Sequence, residues 1–385
     1  MSAQSSVSEI RDALAAIRGL GEAQARVMPS AFYTSEAFHL LEKEEIFRRE
    51  WVCVGQIGEV SKPGDYFTTE LLDEPLLVVR GDDNQIRVLS NVCRHRANMV
   101  AAGAGNAKGF VCSYHAWTYG RDGRLLAARL MDGVEGFDKA NCPLHGFATE
   151  VWQGFIFVNL DGQAKPLAPR LAGLLPHIEA HRQEQRHLFY TAEETWQTNW
   201  KCLAENFVEG YHLSTAHKTT LHPYIPTALG VKIPGGEGYT AYRGGWTPES
   251  PQRGPFSPEL TPVQYRSSFL FCVFPSFVVS YAPDITNYLC LRPKGTGEVA
   301  IRWGLTSYVK DLEPELRQSY IDLCYAFNPE DRARLETLWK GLQSRHYKPG
   351  PLAPANYEGT IWDFYQYMAG RLGSNRGPSA VQAAE

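Results

Sequence analysis

The feature that most constrains this chain is Cys93-Arg94-His95, followed after sixteen intervening residues by Cys112-Ser113-Tyr114-His115. Two thiolates and two imidazoles arrive as two tight pairs, C-x-H and C-x2-H, each mixing one sulfur with one nitrogen. A [2Fe–2S] centre in which one iron takes two Cys and the other takes two His needs that inventory. Each short loop then delivers one ligand to each iron, and the Cys-first, His-second order in both loops does so. A structural zinc site would group like with like, as C-x2–4-C and H-x3–5-H. Buried free cysteines and satisfied core histidines are common one at a time, but not in this register.

A chain of 385 residues, 44% hydrophobic and 12% aromatic, has room for two domains with sizeable interiors. Its formal charge of −4 leaves no basic stripe, which argues against a nucleic-acid partner. No run approaches the ~18 uncharged apolar residues of a membrane span. The segment Met1–Arg26 carries Glu9, Arg11, Asp12 and Arg18, unlike a secretory leader, so a cytoplasmic location is expected. The eight cysteines are scattered, not packed as a disulfide framework. Beyond Cys93 and Cys112 they are expected to be reduced packing residues, with Cys142 the one to check for reactivity.

Along the chain, Ile10, Leu14, Ile17 and Leu20 have helical spacing, and Ser35 reads as the N-cap of a helix running to Glu50. From Trp51 the texture changes to short β-rich runs between Gly, Pro and Asp turns. Val52–Val54, Asp65–Thr69, Leu76–Val79, Ile86–Leu89, Phe110–Cys112 and Phe155–Asn159 suggest an antiparallel barrel or sandwich. Both Cys/His loops follow a strand, where they could clamp a cluster, and Trp117 and Tyr119 would shield it. The run Gly103–Gly109 has glycines but no helix after it to hold a phosphate. No dinucleotide fingerprint or plant-type ferredoxin spacing appears, so a separate NAD(P)H-dependent reductase is expected. His177 and His181 share a helical face, yet their Glu-, Gln- and Arg-rich segment, read as helical to Gln185, argues for a solvated surface. Residues 265–308 alternate as strands, and Phe277, Tyr281 and Trp303 could line a cavity or simply fill a core. The Gly- and Pro-rich Thr219–Pro258 could form a mobile entrance. The expected fold class is α+β: N-terminal helices over 1–44, a β-domain holding the cluster over 45–162, and a catalytic domain over 163–385 with an antiparallel sheet among helices.

A second constellation lies at Glu205-Asn206-Phe207-Val208-Glu209-Gly210-Tyr211-His212, continuing to His217. Two His with one carboxylate form a facial triad that leaves positions open on Fe(II). His212 and His217 are five apart, about 140° around an ideal helix, so the helix must be distorted or broken for them to converge. Gly210 and Ser214-Thr215 make that feasible. Glu209 is either a partner of His212 or a ligand itself, and Glu209 and Asn206 are the candidate catalytic residues. A late carboxylate should complete the set. Asp363 sits in the aromatic stretch Trp362-Asp363-Phe364-Tyr365, a costly place for an unpaired charge, and is taken as the third metal ligand with Glu358 in reserve.

On these residues the chain resembles the terminal oxygenase (alpha) subunits of the Rieske non-haem iron oxygenases. The resemblance covers nearly the whole chain through Cys93, His95, Cys112, His115 and Glu209-x2-His212-x4-His217. It implies one Rieske [2Fe–2S] cluster and one mononuclear Fe(II) per subunit, with Asp363 as the C-terminal ligand. It also implies electrons from a separate reductase, and a head-to-tail homotrimer in which Glu209 links His212 to His115 of a neighbouring subunit. Many members of the family carry Asp where Glu209 stands. That departure leans towards members acting on quaternary ammonium compounds, by monooxygenation and C–N cleavage. Hydroxylation or dioxygenation of an aromatic compound is the alternative. A Rieske electron carrier without oxygen chemistry is the remote one.

Overall fold

The computed structural model describes residues 3–254 and 256–373; the tail beyond Gly373 lies outside the described residues. Two seven-stranded sheets and a small three-stranded one organise the chain. The first large sheet runs in the order Val52–Gln56, Phe155–Asn159, Gly146–Trp152, Ile86–Ser90, Glu74–Arg80, Asp65–Leu71, Ala104–Asn106. Its strands Val52–Gln56 and Phe155–Asn159 are buried at every residue because both of their faces are covered. The three-stranded sheet joins Phe110–Val111, Thr118–Tyr119 and Leu125–Ala127 and carries the second Cys/His loop.

The other large sheet is antiparallel throughout: His187–Trp196, Val299–Ser307, Ile285–Pro293, Phe277–Tyr281, Ser267–Val273, Tyr239–Gly245, Gly230–Gly236. Side chains alternate between its faces. Phe269, Phe271, Tyr281 and Tyr288 pack with Trp152, Phe155 and Leu171, joining the first sheet to the second. Tyr242, Leu270, Ser280 and Asn287 form one row across neighbouring strands and face a cavity on the opposite side. Helix α1 (Ala3–Ile17) packs on the last described helix. Helix α2 (Trp200–Phe207), α3 (Pro314–Leu342) and α4 (Ala355–Leu372) surround this sheet.

Two local expectations change. The helix capped by Ser35, whose Oγ accepts from Phe38 N at 3.2 Å, turns from α to π over Lys43–Phe47. Residues 172–181 run as consecutive 3-10 and α turns instead of one regular helix, and Arg182, at a left-handed φ of 49°, separates them from a last turn over 183–185. His181 is therefore fully buried against Phe269 and Tyr281, not solvated. The long helix α3 runs through Pro329 in its middle, although a proline there removes a donor and crowds the preceding turn.

Helix α2 is anchored by polar groups as well as by packing. Lys201 Nζ lies 2.6 Å from Glu42 Oε1, both essentially inaccessible, in a nest of rings from Phe32, Phe38 and Trp200. Removing one partner of such a pair strands a buried charge. One turn on, Glu205 accepts from Tyr33 Oη at 3.0 and 3.1 Å, and Tyr33 Oη meets Tyr365 Oη at 2.8 Å. This ties the N-terminal segment, α2 and α4 together. Burial pushes the Glu205 carboxyl up to about 8, although Tyr33 and Lys201 pull the other way. The folded state thus holds a proton that the unfolded chain, ionising near 4.5, has released. Stability is fully present below about pH 4.5 and is lost as pH climbs to about 8. Glu205→Gln should flatten that decline, and urea unfolding midpoints measured across the range check it. Parallel wild-type and variant profiles would refute the assignment.

Candidate active site

The two Cys/His loops are built alike. Cys93 C=O accepts from Ala97 N at 3.0 Å, and Cys112 C=O accepts from Ala116 N at 2.9 Å. Both alanines sit at a left-handed φ of 57°, a strained state for a non-glycine residue that only a well-determined loop holds. Cys93 and Cys112 are buried, whereas His95 and His115 are half-exposed, with ring centroids 4.6 Å apart. Sulfur lies inside and nitrogen outside. Tyr119 Oη lies 3.3 Å from Cys93 Sγ and accepts from Arg94 N at 3.0 Å, and Trp117 stacks on His95 with centroids 4.9 Å apart. Burial raises the Cys112 thiol, but the N–H of Tyr114, the Cys93 side chain, the N–H of His115 and the Asn98 side chain together outweigh it, so its pKa is lowered. Desolvation, with the charges of His95 and Arg96, lowers His115 and favours the neutral ring. His95 Nδ1 is buried with no hydrogen-bond partner. Two buried thiols, two adjacent imidazoles and an orphaned ring nitrogen fit a [2Fe–2S] cluster.

The second centre forms where α2 stops. The helix ends at Phe207, and His212 and His217 bracket a separate turn, Leu213–Ala216. The break brings their rings within 5.1 Å. A carboxylate of Glu209 accepts from Tyr211 N, from His212 N and at His212 Nδ1. Glu330 Oε2 lies 2.7 Å from His217 Nδ1 and accepts from Thr220 Oγ1 at 2.6 Å. With both Nδ1 atoms held by carboxylates, both Nε2 atoms turn the other way. They meet Asp331 Oδ1 at 3.6 Å from His212 and 2.9 Å from His217.

Asp331, not Asp363, is the carboxylate beside the histidines. His212, His217 and Asp331 form a trio whose ligand atoms lie within 4.8 Å of one another. Asp331 Oδ1 is buried and faces only the two ring nitrogens, a setting that a metal ion between them would satisfy. Asp363 is satisfied elsewhere: Lys232 Nζ donates to it at 2.8 Å and Thr240 Oγ1 at 2.8 Å, in a separate cleft with Gly235 and Arg371. The unpaired charge that singled it out is paired by a lysine 131 residues away in sequence. Glu358 accepts from Ala353 N; burial first, then the charge of Glu209, raises its pKa. Asn206 and Glu209 line the cavity. Sequence reasoning missed Asp331 and Glu330, although Tyr320, Cys324, Phe327 and Asp331 fall on one face of α3 and all line the same cavity.

That cavity, of about 340 Å³, is lined by the trio and by Phe207, Tyr242, Phe327, Asp284 and Tyr320. Desolvation opposes charging of His217, but Asp331 and Glu330 more than offset it and its pKa is raised. Burial, with Glu209 and Asp331 nearby, holds the Tyr242 phenol far above its ordinary value, so it stays neutral.

Fold and site together define a two-centre iron protein, a cluster domain joined to a 2-His-1-carboxylate domain. The Rieske [2Fe-2S] domain family matches residues 50–138, and the ring hydroxylating alpha subunit (catalytic domain) family matches residues 177–374. The chain belongs to this family of Rieske non-haem iron oxygenases, as a terminal oxygenase that combines a [2Fe–2S] cluster with a mononuclear iron. It is similar to the carnitine monooxygenase oxygenase subunit of Acinetobacter baumannii, with 30% identity over 335 residues, 83% of this chain and 86% of that one. It is also similar to the glycine betaine monooxygenase oxygenase subunit of Chromohalobacter salexigens, 37% identical over 199 residues, 51% of this chain and 44% of the other. Among solved structures, the quaternary ammonium Rieske monooxygenase CntA in complex with L-carnitine superposes with a TM-score of 0.80. The identity is 26%, covering 91% of this chain and 97% of that one. Asp331→Ala should deplete the mononuclear iron and leave the cluster's visible absorbance intact, whereas Asp363→Ala should retain both. Iron counted per cluster decides, and the reverse pattern would restore Asp363.

Proposed function

We propose that the chain monooxygenates a carbon next to the nitrogen of a quaternary ammonium compound, after which the C–N bond breaks. The carrying observation is the cavity at His212, His217 and Asp331, whose aromatic walls and acidic end suit an organic cation. The names of the similar proteins and the glutamate at position 209 support the same substrate class. In this reading Cys93, His95, Cys112 and His115 hold the cluster, and His212, His217 and Asp331 hold the iron. When bound, these groups supply stored electrons and O2 activation.

The chain's own residues do the rest. Glu209 and Glu330 fix the tautomer and orientation of the iron histidines, as carboxylate partners of metal-bound imidazoles do. Phe207, Tyr242 and Phe327 exclude water from the reacting carbon, and Asn206 offers a polar contact at the wall. We place Glu209 between His212 and His115 of the partner subunit in a head-to-tail trimer, fed by a separate flavin or iron–sulfur reductase in the cytoplasm. No helix among the described residues is long and apolar enough to cross a membrane.

The apolar stretch of the cavity, with Leu270, Ile285 and Leu323, favours a second reading, hydroxylation of an aromatic compound. Oxygen uptake coupled to product, measured with a compatible reductase, separates the two. Turnover of trimethylammonium compounds without aryl acids supports the first, and the reverse result replaces it. Glu209→Gln should keep both metals yet slow turnover about 10- to 100-fold. Unchanged turnover would remove Glu209 from the electron route.

A further inference from the structure

Monooxygenation takes up two protons with its two electrons: one atom of O2 enters the substrate and the other leaves as water. A closed cavity needs a positioned acid to supply them. The groups beside the iron histidines are committed elsewhere. Glu209 takes Tyr211 N, His212 N and His212 Nδ1, which fixes it as a carboxylate, and Asp331 stands between the two rings as the third ligand. The Tyr242 phenol holds its proton far above its ordinary value. Asp284 is the remaining carboxyl among the described residues that line the cavity. It sits in the turn between strands Phe277–Tyr281 and Ile285–Pro293 and is only 8% exposed, so ionising it carries a desolvation cost.

Its hydrogen bonds show which form the site holds. Asp284 Oδ1 accepts from Ile285 N at 3.0 Å, and Oδ2 lies 3.0 Å from Tyr320 Oη on α3. Tyr320 Oη also lies 3.2 Å from Arg253 O. A phenol has one hydrogen to give. With Asp284 ionised, that hydrogen goes to the carboxylate, and Tyr320 Oη and Arg253 O face each other as two acceptors. With a proton on Oδ2, Asp284 donates to Tyr320, Tyr320 donates to Arg253 O, and every contact holds a hydrogen. The charges nearby do not reverse this. The buried Arg186 donates through Nε to His181 O and through Nη2 to Ala282 O and Pro283 O, and its Nη1 has no partner. It faces Asp284 as a charge without a hydrogen bond between them among the described contacts. Arg253 turns its Nη1 to Ser319 Oγ at 3.1 Å. Burial outweighs Tyr320, the backbone N–H groups and the Arg186 charge, and the Asp284 pKa is raised.

We propose that Asp284 is held as the neutral acid and donates a proton to the reaction in this cavity. In that step the Asp284 O–H bond breaks and an O–H bond of the departing water forms. The second proton comes from solvent and the electrons from the reductase. The carboxylate left behind is met by Ile285 N, by the Arg186 charge and by Tyr320, whose hydrogen turns from Arg253 O to Oδ2. One hydroxyl rotation therefore serves both protonation states, and solvent restores the acid before the next turnover. The assignment rests on the monooxygenation reading above, and it holds whichever class of compound is oxidised.

Difference infrared spectra of the holoenzyme, wild type against Asp284→Asn, read the protonation without any substrate. The wild type should show the carbonyl stretch of a protonated carboxylic acid, shifted in D2O and missing from the variant. Asparagine reproduces the neutral pattern, accepting from Ile285 N and donating to Tyr320 Oη, so the variant should keep its cluster absorbance and mononuclear iron. With a compatible reductase its kcat should fall about 100-fold or more, the range for losing a positioned acid, with less product formed per O2 consumed. A wild-type spectrum in which no acid band depends on Asp284 overturns the proposal, and so does a folded Asp284→Asn with wild-type kcat. An Asp284→Asn that loses cluster and iron or unfolds also overturns it, because the fold would then need the carboxylate's charge against Arg186. Oxidation of neither trimethylammonium compounds nor aryl acids by the wild type would be a different failure, that of the substrate readings above, and the infrared result would still decide whether Asp284 holds a proton.

Discussion

The catalytic centre depends on pinning two imidazoles from behind. A histidine ring is free to turn about its side-chain bonds, and three ligands converge only if that freedom is removed. Here Glu209 takes His212 Nδ1 and Glu330 takes His217 Nδ1, so each Nε2 has one direction left. The two carboxylates come from opposite sides, one from the broken stretch after α2 and one from α3. Packing α2 against α3 is therefore what assembles the site, and Asp331 arrives with Glu330 as its chain neighbour. Three acids around two histidines would repel one another in a poorly solvated pocket. A dication among them would remove that conflict, and the donor set fits a metal centre.

How much of this could be read from the sequence follows from how local each signal is. The Cys/His loops are legible because every ligand lies within three residues of its partner, and a loop carries its own geometry. Glu209, His212 and His217 are legible for the same reason, including the need for a break, since a continuous helix would hold the two histidines about 140° apart. The third ligand is not local. Asp363 was singled out because a lone acid among aromatics should be expensive, and the argument was sound for the sequence alone. Its failure lies in Lys232, a partner on an adjacent strand that no local pattern connects to α4. Asp331 was hidden by the opposite effect. Pro329 beside it reads as a helix end, while the tertiary packing of α3 carries the helix through.

The cluster end shows a second asymmetry with a functional consequence. Its thiols are buried and its imidazoles reach the surface, so the histidine side is the one that another surface can approach. At the catalytic end, Tyr211 is exposed beside His212, and Glu209 lies just beneath them. Both centres therefore present a histidine near the outside of the chain. A route for electrons between two outward-facing histidines is shortest when one molecule's surface covers another's. In the head-to-tail ring proposed above, these are the two histidines that would be brought together.

The iron helix is also held more polarly than its surroundings require. Replacing a buried ion pair such as Lys201 and Glu42 by an apolar pair of similar volume is often neutral or stabilising. What an ion pair adds is register: Lys201 can meet Glu42 in one rotation of α2 only, whereas leucines could slide. The same rotation sends Glu205 towards Tyr33 and Tyr365 and leaves Asn206 and Phe207 facing the cavity. A one-residue slip of α2 would turn Glu205 into the cavity and move the point at which the helix breaks. The geometry of His212 depends on that point, so the polar anchors upstream fix where the metal centre forms.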